Sequence, residues 1–306
     1  MAFADLKNDF VFRRIFGTHP DILRGLLNDL LERTGKDAIV AVEYLPSEQL
    51  PLVAGAKLSI LDVRCKSQDG AIFVVEMQLI HMAGFINRVV YNGCKAYVNQ
   101  LKAGESYTQL ADVVAISICD FELWPDAEQH RRGEPPMPML SRFAMTERST
   151  GNHALLQVQY AFLELPKVPK EKPAVGAALW AWLFVHAPEL QEMPADLPPG
   201  PYREAMELAN QATFTELELE AYRKVMDEIQ QAREYGEAKR AEGRAEGRAE
   251  GELKGKRDTL LRLLTRAGIE PTQGDLARIR DCTSLDTLDT WIDKVFGART
   301  ITEVLA

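Results

Sequence analysis

The sequence predicts an α/β protein whose first part runs α, β, β, β, α, β, followed by additional strands and a helical last third. Three observations predict it. Apolar residues recur at helical spacing near the start, the period changes to two from residue 39, and helical spacing returns beyond Pro173. The chain has 306 residues, 46% of them apolar and 26% charged, enough for one large domain with appendages and a core that needs no covalent staples.

Two helices open the chain. NDFVFRRIFG sets Phe12 and Phe16 one turn apart, and PDILRGLLNDLLERTG carries Ile22, Leu23, Leu26, Leu27, Leu30 and Leu31 at helical spacing, with Pro20 at its start and Gly35 as its stop. IVAVEYL (39–45) then reads as a strand. After a loop from Pro46 to Pro51 come KLSILDVRC (57–65) and AIFVVEMQL (71–79), a hairpin closed by Lys66, Ser67, Gln68, Asp69 and Gly70. The next stretch is helical, sets Val90, Cys94, Tyr97 and Leu101 on one face and ends at Gly104. DVVAISICDF (112–121) is dense in Val and Ile, as a strand in the middle of a sheet is. A Pro-rich loop with paired arginines, from Arg131 to Pro138, precedes two more strand segments, LSRFAMTER and HALLQVQYAFLEL.

Beyond Pro173 the segments AALWAWLFVHA, YREAMELANQ and TELELEAYRKVMDEIQQAREYGEAKR read as helices, the first separated from the others by a Pro-rich break. They lead into a four-residue repeat, AEGR AEGR AEGE (241–252), which in a helix stacks Glu on Glu and Arg on Arg. Each glycine there costs roughly 1 kcal/mol against alanine. Two readings stay open: a hydrated tether, or a helix that packs its glycine row against another helix in a homo-oligomer. RDTLLRLLTRAG, GDLARIRDC and SLDTLDTWIDKVFG follow as a compact three-helix unit, with Ser284 as N-cap and Gly297 as stop. The expected divisions are 1–175, 176–235, 236–256 and 257–306.

Lys and Arg number 36 against 45 Asp and Glu, a formal charge of −9, which excludes a protein that coats nucleic acid or anionic lipid through bulk charge. The four cysteines, Cys65, Cys94, Cys119 and Cys282, lie far apart with no CxxC, which fits reduced thiols in a cytoplasmic protein and no structural zinc. No targeting segment and no apolar run of membrane-spanning length is present.

The hairpin carries the chemistry. With Gly70 in the left-handed conformation of a three-residue turn, Ser67 pairs with Ala71, Asp62 stands opposite Glu76, and Gln78 shares the face of Glu76. Two carboxylates at cross-strand distance repel, and the apolar neighbours Leu61, Val63, Phe73, Val74 and Val75 make the pair costly to bury. A divalent cation between them resolves the repulsion. The alternative is an ordinary salt bridge from Asp62 to Arg64 or Arg88.

KNDFVFRRIFG, LDVRC, VVEMQ, FINRVVYNGCKAYVNQLKAGESYTQLADVVAISICDF and FLELPK, in that order and spacing, resemble the Rpn group of recombination-promoting nucleases and transposases within the PD-(D/E)XK nuclease superfamily. The resemblance spans about residues 5–175 and continues more loosely into the charged tail. It implies a restriction-endonuclease-like αβββαβ core with a mixed central sheet, and metal-dependent cleavage of DNA. By position Asp62 matches the first motif acid and Glu76 the second, while Gln78 stands where the superfamily more often has Lys. With Mg²⁺ as the cation, Asp62, Glu76, the backbone carbonyl of Met77 and a phosphate oxygen form the expected ligand set. Gln78 lacks a charge but its amide can hold the attacking water.

Arg88 and Lys95, seven apart with Asn92 between them, are candidate phosphate contacts or a solvated helix face. Asp9 is either a further acid of the site or an ordinary first-turn acid. The five histidines have no ligand spacing, and Tyr91 and Tyr97 fit the core better than base stacking. The expected activity is a Mg²⁺-dependent DNA endonuclease of low sequence specificity, linked to recombination or mobile elements, with a helical tail that makes it a homo-oligomer. The alternative is a nuclease-like scaffold that binds DNA or protein without cutting.

Overall fold

The computed structural model describes residues 2–49, 59–60, 62–102 and 104–306. Helix α1 (Asp9–Phe16) begins where the buried Asn8 side chain accepts hydrogen bonds from the backbone N–H groups of Phe10 and Val11. It buries Val11, Phe12, Ile15 and Phe16 against α2 (Pro20–Leu31), which contributes Ile22, Leu23, Leu26, Leu27 and Leu30. This second helix stops at Glu32, in the left-handed conformation, earlier than Gly35.

The strands are β1 (Val42–Tyr44), β2 (Glu48–Gln49), β3 (Ser59–Ile60), β4 (Val63–Ser67), β5 (Ile72–Gln78), β6 (Val113–Cys119), β7 (Leu140–Met145) and β8 (Leu155–Glu164). Among the described residues six of them form one mixed sheet in the order β1-β4-β5-β6-β8-β7, and β2 pairs with β3. Neighbours β5 and β6, and β6 and β8, are parallel, and the other pairs of the large sheet are antiparallel. The fold is therefore the restriction-endonuclease-like α/β arrangement that the sequence predicts, with the fully buried β6 at its centre.

The hairpin register is as expected: Val63 faces Val75, Arg64 faces Val74, and Ser67 N–H bonds the carbonyl of Ala71 at 2.9 Å around Gly70, whose φ is +86°. The run 57–65 is not one strand. β4 starts at Val63, Asp62 is a bend, and residues 57, 58 and 61, like 50 and 51 of the preceding loop, lie outside the described residues. Of the Arg131–Pro138 loop, Arg131 and Arg132 instead end helix α4 (Asp126–Arg132), with acids in its first turn, bases in its last and Gly133 in the left-handed conformation as C-cap, while the remainder is loop as expected.

Side-chain alternation gives the sheet two packed faces. Phe73, Val75, Val114, Ile116, Ile118 and Leu163 face α1, α2, α5 (Ala177–His186) and α6 (Pro201–Ala209), where Trp180 and Tyr202 both donate hydrogen bonds to Asp29. On the other face Val74, Val113, Ala115 and Phe162 meet α3 (Phe85–Val98). That helix does not bury the face carrying Val90 and Cys94, both exposed, but the one with Phe85, Val89, Asn92, Gly93 and Ala96. Helix and sheet lie close there: a Cβ at Gly93 would lie 3.2 Å from the Tyr160 ring and 3.5 Å from Ala115, so a larger residue would have to shift the Tyr160 ring slightly.

Contacts divide the chain into two units, Met1–Ile229 and Gln230–Ala306. Helix α7 (Glu216–Ala267) contains the AEGR repeat, and a Cβ at Gly243, Gly247 or Gly251 would meet no atom of this chain. In the second unit Leu260 and Leu264 of α7 pack with Ile279 of α8 (Gln273–Asp281), Leu288 and Trp291 of α9 (Leu285–Lys294) and Val304 of α10 (Ile301–Leu305). Ser284 caps α9 by accepting from Thr287 N–H. Among the described residues no helix is long and apolar enough to cross a membrane.

At the end of β8 the FLELPK segment builds a buried ion pair. Glu164, wholly buried, accepts from the N–H groups of Leu123 and Trp124 and meets Lys167 Nζ at 3.1 Å, while that ammonium also donates to the carbonyls of Trp124 and Met137. Lys167→Met should destabilise the first unit by about 3–5 kcal/mol by leaving the carboxylate unpaired. The double variant Glu164→Gln/Lys167→Met should recover part of the loss, as read by urea denaturation; a neutral single variant contradicts this account.

Candidate active site

The site lies at the end of the hairpin remote from its turn. Glu76, on the face of β5 turned to α3, is 8% exposed, and its Oε1 accepts from Asn92 Nδ2 at 2.8 Å while its Oε2 lies 3.6 Å from Arg88 Nη2. Arg88 also donates to Gln78 Oε1, and Gln78 Nε2 donates to the Ile80 carbonyl at 3.1 Å. Arg88 and Asn92 are i and i+4 on α3, one turn apart on the same face, and so reach the same carboxylate.

Asp62 completes the pair from the end of β4. Its Oδ2 accepts from the Met77 backbone N–H at 2.7 Å, and its Oδ1 lies 3.3 Å from Arg13 Nη2. The same guanidinium meets Asp9 Oδ1 through Nε at 2.9 Å. Asp62 is thus bound neither to Arg64 nor to Arg88, the two partners proposed from sequence; its partner Arg13 comes from α1, which the fold brings to the strand end. Just below, Lys7 pairs with Asp120 at 3.3 Å, and Asp120 N–H bonds the Gln78 carbonyl, tying the start of α1 to the ends of β5 and β6.

Both carboxyls are raised above the usual carboxylate range. For Asp62 burial is the main cause and the charge of Asp9 adds to it, against the opposing pull of the Met77 N–H and Arg13. For Glu76 burial is again first, the Asn92 hydrogen bond and Arg88 oppose it, and the charge of Asp62 pushes it further up. The mutual repulsion read from the hairpin register is therefore present. The hydrogen bonds and arginines lessen the penalty of ionising the pair without cancelling it.

Of the sequence candidates, Asp62, Glu76, Gln78 and Arg88 come together, and Asp9 joins them through Arg13. Lys95 is 7% exposed, with its ammonium 5.8 Å from the Tyr91 ring centroid, in a setting far from the solvated face that its residue type suggests. Tyr91 is exposed and Tyr97 packs against the cluster of Ile72, Val74 and Val113. Sequence reasoning missed Arg13 and gave Asn92 no role. The i, i+4 pair Asp9 and Arg13 on α1 was the available signal for Arg13. None signalled Asn92.

The donor set fits a hard divalent cation: two close carboxylates whose ionised forms are penalised by burial and, at Glu76, by the other carboxylate, the condition that a cation reverses. Among the described residues no three His, Cys, Asp or Glu side chains form a metal-holding group. A family model described as PD-(D/E)XK nuclease family transposase matches residues 6–235. No curated protein and no solved structure matches the chain.

Stability should record the cost of this pair. Groups with raised carboxyl pKa bind protons more tightly in the folded chain, so their contribution to stability is fully present below the unfolded value of about 4 and is lost as pH rises through the raised values. Asp62→Asn and Glu76→Gln should therefore raise the Tm of the first unit at pH 7 and change it little at pH 4; each 1 kcal/mol recovered is roughly 2–4 °C. Calorimetry at the two pH values decides it, and an unchanged or lower Tm at pH 7 goes against the account.

Proposed function

The chain belongs to the PD-(D/E)XK nuclease family transposases, and on that premise we propose that it is a divalent-metal-dependent DNA endonuclease of low sequence specificity, acting in recombination or on mobile elements. The observation that carries this reading is the pair Asp62 and Glu76, a partly buried and a buried carboxylate, each oriented by a neutral donor and raised in pKa chiefly by burial, at the positions of the two motif acids. Glu164, by comparison, is held by Lys167 at 3.1 Å and by two backbone N–H groups.

Asp62, Glu76 and the Met77 carbonyl would hold the cation. When bound, such a cation, Mg²⁺ in this reading, lowers the pKa of a bound water and neutralises charge on the reacting phosphate. The chain's own groups do the positioning. The Met77 N–H fixes Asp62, and Asn92 fixes Glu76, each through one oxygen, so the second oxygen of each carboxylate is aimed without rotamer search. Arg88, over the site and shared with Gln78, supplies the positive charge that Gln78 lacks and is the phosphate contact of this reading. Gln78 has both amide ends engaged here, so it positions Arg88, and it reaches an attacking water only by giving up one of those bonds. Lys95, buried within α3, is not a phosphate contact in this reading.

The reading includes self-association through α7, supported by the open glycine row between residues 243 and 251. A chain ending before Tyr235 should sediment as a smaller species than the full chain; equal association states remove this part of the reading.

Purified full-length protein should nick supercoiled plasmid with Mg²⁺ and stop with EDTA. Asp62→Asn and Glu76→Gln should each slow nicking by about 10³-fold, the rate equivalent of about 4 kcal/mol of lost charge stabilisation. Cleavage as fast as the parent in Asp62→Asn removes that acid from the site, and plasmid binding without cutting selects the non-cleaving scaffold.

A further inference from the structure

The two carboxylates are bound by one pattern. Each has one oxygen fixed by a neutral donor, the Met77 N–H on Asp62 Oδ2 and the Asn92 amide on Glu76 Oε1, and the other faced by an arginine, Arg13 on Asp62 Oδ1 and Arg88 on Glu76 Oε2. The neutral donors orient. The arginines stand on the oxygens that a cation needs.

Arg13 and Arg88 are not equivalent in this respect. Arg88 is also bonded to Gln78 and lies 5.5 Å from the Phe85 ring centroid, so it has a place of its own over α3. Among the described residues the partners of Arg13 are carboxylates, Asp9 one turn earlier and Asp62, through contacts of 2.9 and 3.3 Å. Its side chain is 46% exposed, while its backbone is fixed by the buried Val11, Phe12, Ile15 and Phe16 of α1. A guanidinium does not lose its charge in the accessible pH range, so it yields to a second cation only by moving.

We propose that Arg13 is a displaceable counter-ion: it occupies Asp62 Oδ1 until a divalent cation takes that oxygen, and the released guanidinium then binds a phosphate oxygen of the nucleic acid. The proposal rests on the metal reading of Asp62 and Glu76 given above. It makes cation binding and nucleic acid binding cooperative, because the cation frees the arginine that the phosphate receives. The planar fork of Arg13 suits both partners, carboxylate and phosphate, in turn. Asp9 keeps the guanidinium near the site during the exchange.

The test uses calorimetric titration of the full-length protein with Ca²⁺, and fluorescence anisotropy of a labelled DNA duplex with Ca²⁺ or EDTA, the duplex checked intact by gel. Arg13→Gln should bind Ca²⁺ about fivefold more tightly than the parent, equivalent to about 1 kcal/mol. In EDTA it should bind the duplex as the parent does, and it should lose most of the tightening that Ca²⁺ gives the parent. Arg14→Gln is the control, since Arg14 pairs with Glu218 and stacks on Phe214 away from the carboxylates; it should match the parent in both assays. Equal or weaker Ca²⁺ affinity in Arg13→Gln, in a parent that binds Ca²⁺, overturns the displaceable counter-ion alone. No Ca²⁺ binding by parent, Arg14→Gln and Arg13→Gln alike overturns the metal reading itself.

Discussion

Asp62 and Glu76 stand together at the end of the central hairpin, in surroundings that raise both carboxyls. Much of the surrounding architecture answers that repulsion. Asn92 and Arg88, one turn apart on α3, reach Glu76. The Asn8 cap and the Lys7–Asp120 pair anchor α1 so that Arg13 reaches Asp62. Two helical layers from opposite faces of the sheet thus each send one arginine to the same strand end.

The chain also shows what a settled buried charge looks like. Glu164 is more deeply buried than either site acid, yet it has a lysine, two backbone N–H donors and a tie across three loop segments through Lys167. Asp29 is likewise absorbed by Trp180 and Tyr202 between the helices. Such groups hold the fold together. The site acids have partners too, but partners that leave their ionised forms penalised. The same side-chain chemistry is therefore settled at one end of β8 and left penalised at one end of β5.

The elements of the first unit were legible because their periods are unambiguous: alternation in AIFVVEMQL and helical spacing in PDILRGLLNDLL leave little room for another reading. The hairpin register was legible from one residue, Gly70, whose positive φ fixes the turn length and hence the approach of Asp62 to Glu76. The buried face of α3 was not. Its apolar residues Val90 and Cys94 face out, and its inward side is built from Asn92, Gly93 and Ala96, chosen for close approach and for a hydrogen bond to Glu76, neither of which hydropathy records. Arg13 was hidden for a related reason: its partner is 49 residues away, and only the packing of α1 against the sheet makes them neighbours.

Charge shows the same limit of bulk properties. The chain carries a formal charge of −9, which restricts non-specific attraction to DNA and makes any such binding weak and salt-sensitive. Locally the balance reverses. From Leu79 to Gly104, the segment that leaves the site and forms α3, there is no Asp or Glu, and its charges are Arg88, Lys95 and Lys102. Residues 231–257 are also slightly basic, with eight Lys and Arg against six Glu. Beside the two acids stand Arg88 of α3 and Arg13 of α1, so the local field at this strand end differs from that of the acidic remainder of the chain.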